Sequence, residues 1–180
     1  MIGTNERTIG FQKRRGNIAG ACLLVAIFAP LVVVLSWLTT GPAEVFQHHT
    51  GHFLSHVPST ATSLIGLALA ILPALLISMS MLQARSCFLA FRGGGWFSKT
   101  PATSLATCGR WCLAAALRGF IVPILLGPVL TMGAPAGERV VPISIGSGSV
   151  IGGIFGAILW ALGVVWARAH ELSVENERFV

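Results

Sequence analysis

The sequence has no aspartate and no tyrosine, and only 10% of its 180 residues are charged. A soluble domain carries about 25% charged residues. So few charges cannot clothe a water-facing surface, which excludes a soluble globular enzyme. Aspartate is common among metal ligands and catalytic acids, so its absence narrows the available chemistry further. The four cysteines (Cys22, Cys87, Cys108 and Cys112) form no CxxC pair and no disulfide-like framework. Disorder is excluded by a 54% apolar content and a mean hydropathy of +0.79. The lipid bilayer is the solvent that remains.

Uncharged apolar runs occur four times, at about 18–38, 64–82, 111–132 and 150–167. A spanning helix needs about 20 residues at 1.5 Å rise each. The runs show no alternation of the kind a barrel strand needs. The expectation is an all-α integral membrane four-helix bundle forming a single membrane domain over residues 1–180. The first run follows Lys13, Arg14 and Arg15. It exceeds the apolar core of a signal peptide, about 7 to 15 residues, and Gly41-Pro42-Ala43 is a poor cleavage site, so it reads as a retained helix.

The basic residues are distributed by side. Arg7, Lys13, Arg14 and Arg15 precede the first run; Arg85, Arg92, Lys99 and Arg110 separate the second and third; Arg168 and Arg178 follow the fourth. Only Arg139 lies in the loop between the third and fourth runs, and the loop between the first and second has no Lys or Arg. Basic residues stay on the cytoplasmic side. Both termini and the 83–110 segment are therefore assigned to the cytoplasm, and the 39–63 and 133–149 segments to the outside. Topology alone accounts for the net charge of +6, and no direct nucleic-acid binding is expected. Trp37, Trp111 and Trp166, at the ends of runs, fit an interfacial belt.

Within the runs, Pro30, Pro73, Pro123 and Pro128 each remove a backbone donor and free a carbonyl, as a hinge or as ordinary membrane proline. Gly148, Gly152, Gly156 and Gly163 fall on one helical face, a ridge for close packing inside the chain or between two copies of it. Arg118 is an intramembrane charge with no acid in any run to pair with it. It can snorkel to headgroups, or meet proline-freed carbonyls or the acids of the C-terminal tail.

Outside the runs, Glu44, His48, His49, His52 and His56 make a histidine-rich segment. On a helix, His48 and His52 would stand one turn apart, a spacing that suits zinc or copper, so His48, His52 and His56 are the candidate metal ligands. A hydrated loop or a pH-responsive patch are the competing readings. Cys108 and Cys112 are also one turn apart, with Cys87 on the same side. With no histidine nearby they read as packing thiols, or at most as acylation sites. The helix of the second run is expected to continue through Phe91 to Arg92, where Gly93-Gly94-Gly95 breaks it. Those glycines lack the GK[ST] of a phosphate loop, and no cofactor site is expected. Thr100 is placed to cap the next helix, with Pro101 at its first position.

The stretch from Phe91 to Ser98 (FRGGGWFS), with Leu105, Gly109 and Arg118 and the tail residues Glu171-Leu172, Glu175-Asn176 and Val180, resembles the DUF2975 family of small bacterial four-helix membrane proteins. The resemblance covers mainly residues 85–180. It implies a bacterial inner-membrane protein of no established activity, and by association a cytoplasmic partner such as a DNA-binding regulator. Trp96, Phe97, Glu171 and Glu175 are the candidate partner-binding residues, because they join apolar anchors and acidic charge on the cytoplasmic face. Opposite charges on the 83–110 segment and the tail would let the two hold each other closed. The functional expectation is a non-enzymatic membrane component. A small transporter or channel subunit and an outward metal or pH sensor stand as alternatives, and a homo-oligomer is compatible with each. A membrane enzyme lacks paired acids or a nucleophile–base set.

The charge distribution makes a direct prediction. Alkaline phosphatase fused after Gln47 is expected to be active, and the same reporter fused after Lys99 inactive. The reverse pattern would invert the whole arrangement.

Overall fold

A computed structural model describes residues 3–50, 58–92, 99–132 and 146–177. They form four helices: α1 (Gly3–Thr50), α2 (Thr60–Arg92), α3 (Lys99–Leu130) and α4 (Ser147–Glu177). Each is long and apolar enough to cross a membrane, and among the described residues there is no strand. All four run well past the apolar segments that predict them, because helix continues into flanking polar sequence.

Local chemistry sets several of the ends. Ser59 caps α2: its hydroxyl accepts from the Thr62 amide at 3.3 Å, and its carbonyl takes the Ser63 amide at 2.9 Å. α2 is helical through Arg92, and the three glycines expected to break it lie outside the described residues. α3 begins at Lys99, so Pro101 stands inside its first turn rather than at the opening position. The missing amide costs nothing there, since first-turn donors have no intrahelical acceptor. α1 is broken once, at Gly41 (φ 82°, ψ 164°), a conformation that favours glycine. Pro42 follows and withdraws the donor for the Leu38 carbonyl. Just before the break, Thr39 and Thr40 donate to the Leu35 and Ser36 carbonyls at 2.8 and 2.5 Å. The stretch of α1 beyond the break still packs on its neighbours. There Val45 joins Trp37, Leu126 and Leu130 in a buried cluster backed by Leu67, Leu69 and Ala70.

Trp37 therefore differs from its interfacial assignment. Its indole is only 6% exposed, and a methyl group on Gly66 would lie 2.9 Å from it. A small residue opposite, absent from any single-helix pattern, draws the ring inward.

The helices pack antiparallel in chain order, α1 on α2, α2 on α3 and α3 on α4, with a slight contact between α1 and α3. The backbone of α4 approaches α3 alone. The expected bundle is thus an open row, in which α4 is a flank rather than a fourth wall. Its other faces present Ile151, Ile154, Phe155, Ile158, Leu162 and Val165 outward, a surface suited to lipid.

The α3–α4 seam is a backbone-to-backbone contact. Gly109 sits on the Trp160 backbone and the Gly156 carbonyl, Gly156 on Leu113 and Cys112, Gly163 on Ala106, Gly153 on Ala116, and Gly119 on Ser149. On α4 the seam is Ser149, Gly153, Gly156, Trp160 and Gly163, alternating steps of four and three residues, the repeat of left-handed packing. The ridge of Gly148, Gly152, Gly156 and Gly163 is corrected accordingly. Gly156 and Gly163 lie in the seam, while Gly148 and Gly152 have open space beside them. A strict four-residue step drifts around a helix, so Gly153 and Ser149 take their places.

Leucine at Gly109, Gly156 or Gly163 is expected to force the two backbones apart and cost about 1–3 kcal/mol or more. Leucine at Gly148 or Gly152 is expected to leave the melting temperature in detergent nearly unchanged. Equal losses at both sets would place α4 on a different seam.

Candidate functional site

Polar contacts inside the apolar runs centre on α2. Pro30 leaves the Ala26 carbonyl of α1 without its intrahelical donor. Ser78 of α2 donates to that carbonyl at 2.6 Å, with the Ala74 carbonyl also within 2.9 Å. Two residues along, on the opposite side of α2, the fully buried Ser80 donates to the Cys108 carbonyl of α3 at 3.1 Å. The same Ser80 oxygen lies 3.2 Å from Cys108 Sγ and 3.0 Å from Cys112 Sγ. α2 thus carries one hydroxyl for each neighbour. Sequence pattern shows these serines only as polar interruptions, because their partners are fixed by interhelical register.

Arg118 occupies α3 between Ala116, which faces Gly153, and Gly119, which faces Ser149. It is therefore level with the first turn of α4. Its Nε is buried and has no hydrogen-bond partner. Pairing with the tail acids is overturned by distance. Gly163 is level with Ala106, and counting residues from that level puts Glu171 about 30 Å from Arg118 along the row. Glu171 instead bonds Arg168 of its own helix at 3.1 Å, an exposed pair of little energetic weight. The idea of the tail clamped onto the basic segment loses that acid, since Glu171 is engaged within α4; Glu175 is exposed.

At the same end of the row, the part of α2 beyond its apolar run reaches the last turn of the fourth run. Phe91 stacks on Trp166 with ring centroids 5.5 Å apart and planes at 27°. The buried Cys87 thiol donates to the Pro101 carbonyl at 3.6 Å, joining α2 to the start of α3. His170, one turn beyond Trp166, has its Nδ1 buried and unpartnered. Trp96 and Phe97 lie outside the described residues, as do His52 and His56 and the side chain of His48. α1 continues through His48 to Thr50, so Glu44 and His48 stand one turn apart on helix. Among the described residues no three metal-binding side chains come together.

The Ser78 contact is testable by a double-mutant cycle. Ser78→Ala should cost about 1 kcal/mol, because the Ala26 carbonyl is left bare in lipid. In a Pro30→Ala background the carbonyl regains its own helical donor, and Ser78→Ala should cost measurably less. Equal losses in both backgrounds, read from detergent unfolding, would show that the serine serves some other group.

No protein-family model, curated protein or solved structure matches this chain.

Proposed function

We propose that this chain is a non-enzymatic multi-pass protein of the bacterial inner membrane whose working surface is its cytoplasmic end, where it binds a soluble protein. The observation that supports this reading is the continuation of α2 to Arg92 and α4 to Glu177, beyond apolar runs that end at Leu82 and Ala167. The α2 extension is held to the last turn of the fourth apolar run by the Phe91–Trp166 stack, and to the start of α3 by Cys87 on Pro101. A chain that needed only to cross the bilayer gains nothing from packed helix outside it. The layer presents exposed Lys99 on α3 near the level of exposed Glu171 on α4, with Glu175 one turn further along, so it offers both signs of charge. Trp96 and Phe97, in the sequence between α2 and α3, are the apolar anchors this reading calls for. The resemblance to DUF2975 points in the same direction, toward a regulator as the partner.

A second reading, transport, rests on Arg118, a cation inside an apolar span with an unpartnered Nε. The two are separated by crosslinking and pulldown from membranes. Wild type is expected to capture a stoichiometric soluble protein. A Trp96→Ala/Phe97→Ala variant and a chain truncated after His170 are expected to lose it. Capture of nothing soluble, or capture indifferent to both changes, would remove the partner reading and leave flux in proteoliposomes as the measurement to make.

A further inference from the structure

The sulfurs of Cys108 and Cys112 converge on one point. They lie one turn apart on α3, and both approach the same Ser80 oxygen, at 3.2 and 3.0 Å. Cys108 is 3% exposed and Ser80 fully buried. The third side is closed by α4: a methyl group on Gly156 would lie 2.9 Å from Cys112 Cβ. Three helices therefore meet around two thiols and a hydroxyl. The positions are held by the Ser80 bond to the Cys108 carbonyl at 3.1 Å and by the Gly109–Gly156 backbone contact just beside them. Such a site is formed before any ligand arrives.

The donor set selects the ligand. Zinc prefers four nitrogen and sulfur ligands, and among the described residues no group of three or more His, Cys, Asp or Glu comes together. Soft thiolates favour a soft monovalent d10 ion, which is satisfied by two of them in near-linear coordination. We infer that Cys108 and Cys112 form a two-thiolate site for a soft monovalent cation, with Cu⁺ as the biological candidate, set among α2, α3 and α4 with Cys108 buried and Cys112 half-buried. Binding replaces two S–H bonds by two S–Cu bonds. It releases two protons and leaves a complex with one negative charge, the copper remaining in the +1 state. Ser80 can turn its hydroxyl proton from the Cys108 carbonyl to a thiolate. The remaining negative charge has a counterpart in Arg118, six residues along α3 and about 9 Å by axial rise, for which the apolar runs supply no acid.

The test is an anaerobic titration of the purified full-length protein in detergent with Cu⁺, against a chromophoric Cu⁺ chelator and with a reductant present. One Cu⁺ per chain and a new near-ultraviolet thiolate-to-copper absorption are expected. Both should disappear in Cys108→Ala/Cys112→Ala and in the polarity-preserving Cys108→Ser/Cys112→Ser, each checked for an intact helical melt. Both should persist in Cys22→Ala/Cys87→Ala. Failure of the wild type to hold Cu⁺ against the chelator would overturn the inference. So would copper retained without Cys108 and Cys112, or lost equally when Cys22 and Cys87 are replaced.

Discussion

Lipid tails are as apolar as leucine, so burying one apolar helix face against another gains little in a bilayer. Association must come from close backbone approach and from polar groups that lipid cannot satisfy. This constraint explains why small and polar contacts join each pair of neighbours, beside the bulky Trp37 cluster and the Phe91–Trp166 stack. Ser78 fastens α2 to α1, Ser80 fastens α2 to α3, and Gly109, Gly156 and Gly163 let α3 and α4 touch by their backbones. The large residues do the reverse of what they do in water. Leu31, Ile65, Leu117 and Phe155 are all exposed, and in lipid that is their favourable state.

Pro30 shows how such contacts become specific. A proline in a buried soluble helix is a loss. In α1 it creates an acceptor at a single position, the Ala26 carbonyl, and only a donor at the matching height of α2 can use it. The proline and serine together set the register of α1 on α2, and Trp37 against Gly66 continues that register at the far end. α2 is then the helix on which α1 and α3 both depend. α4 depends on α3, through the glycine seam, with the Phe91–Trp166 stack as its link to α2.

The number and placement of the helices were legible because an apolar run of about 20 residues has few other uses. The continuation of α2 through Phe91 to Arg92, ten residues past its apolar run, was legible from the sequence as well. The choice between Gly152 and Gly153 was not. Both are glycine and adjacent, and only the repeat imposed by α3, itself set by Ala106, Gly109 and Ala116, decides which one faces inward. Trp37 was misplaced for the same reason: Gly66, its counterpart, lies 29 residues away and carries no mark of the pairing. The convergence of Cys108 and Cys112 on Ser80 was equally hidden. Their one-turn spacing is plain, but Ser80 enters only through the register of α2 on α3.

Arg118 ties these levels together. Along α3 it lies eight residues beyond Arg110, about 12 Å deeper. Along α4 it is level with the first turn, beside Ser149 and just below the start of that helix at Ser147. α3 continues for twelve residues past this level to Leu130, where it still packs on Gly66 of α2, so α4 begins well short of the top of its neighbours. The glycine seam is what fixes this offset, because sliding α4 by one residue would turn Gly156 and Gly163 away from α3. The offset also carries Glu171 and Glu175 far from the guanidinium, and it brings the positive end of the α4 backbone dipole to the same height. Two features that raise the energy of a buried cation, distance from acids and a like partial charge, thus follow from one packing choice. An anion seated between Arg118 and the Lys99 end of α3 would lower that energy, and the thiols of Cys108 and Cys112 are the groups on α3 placed to become one.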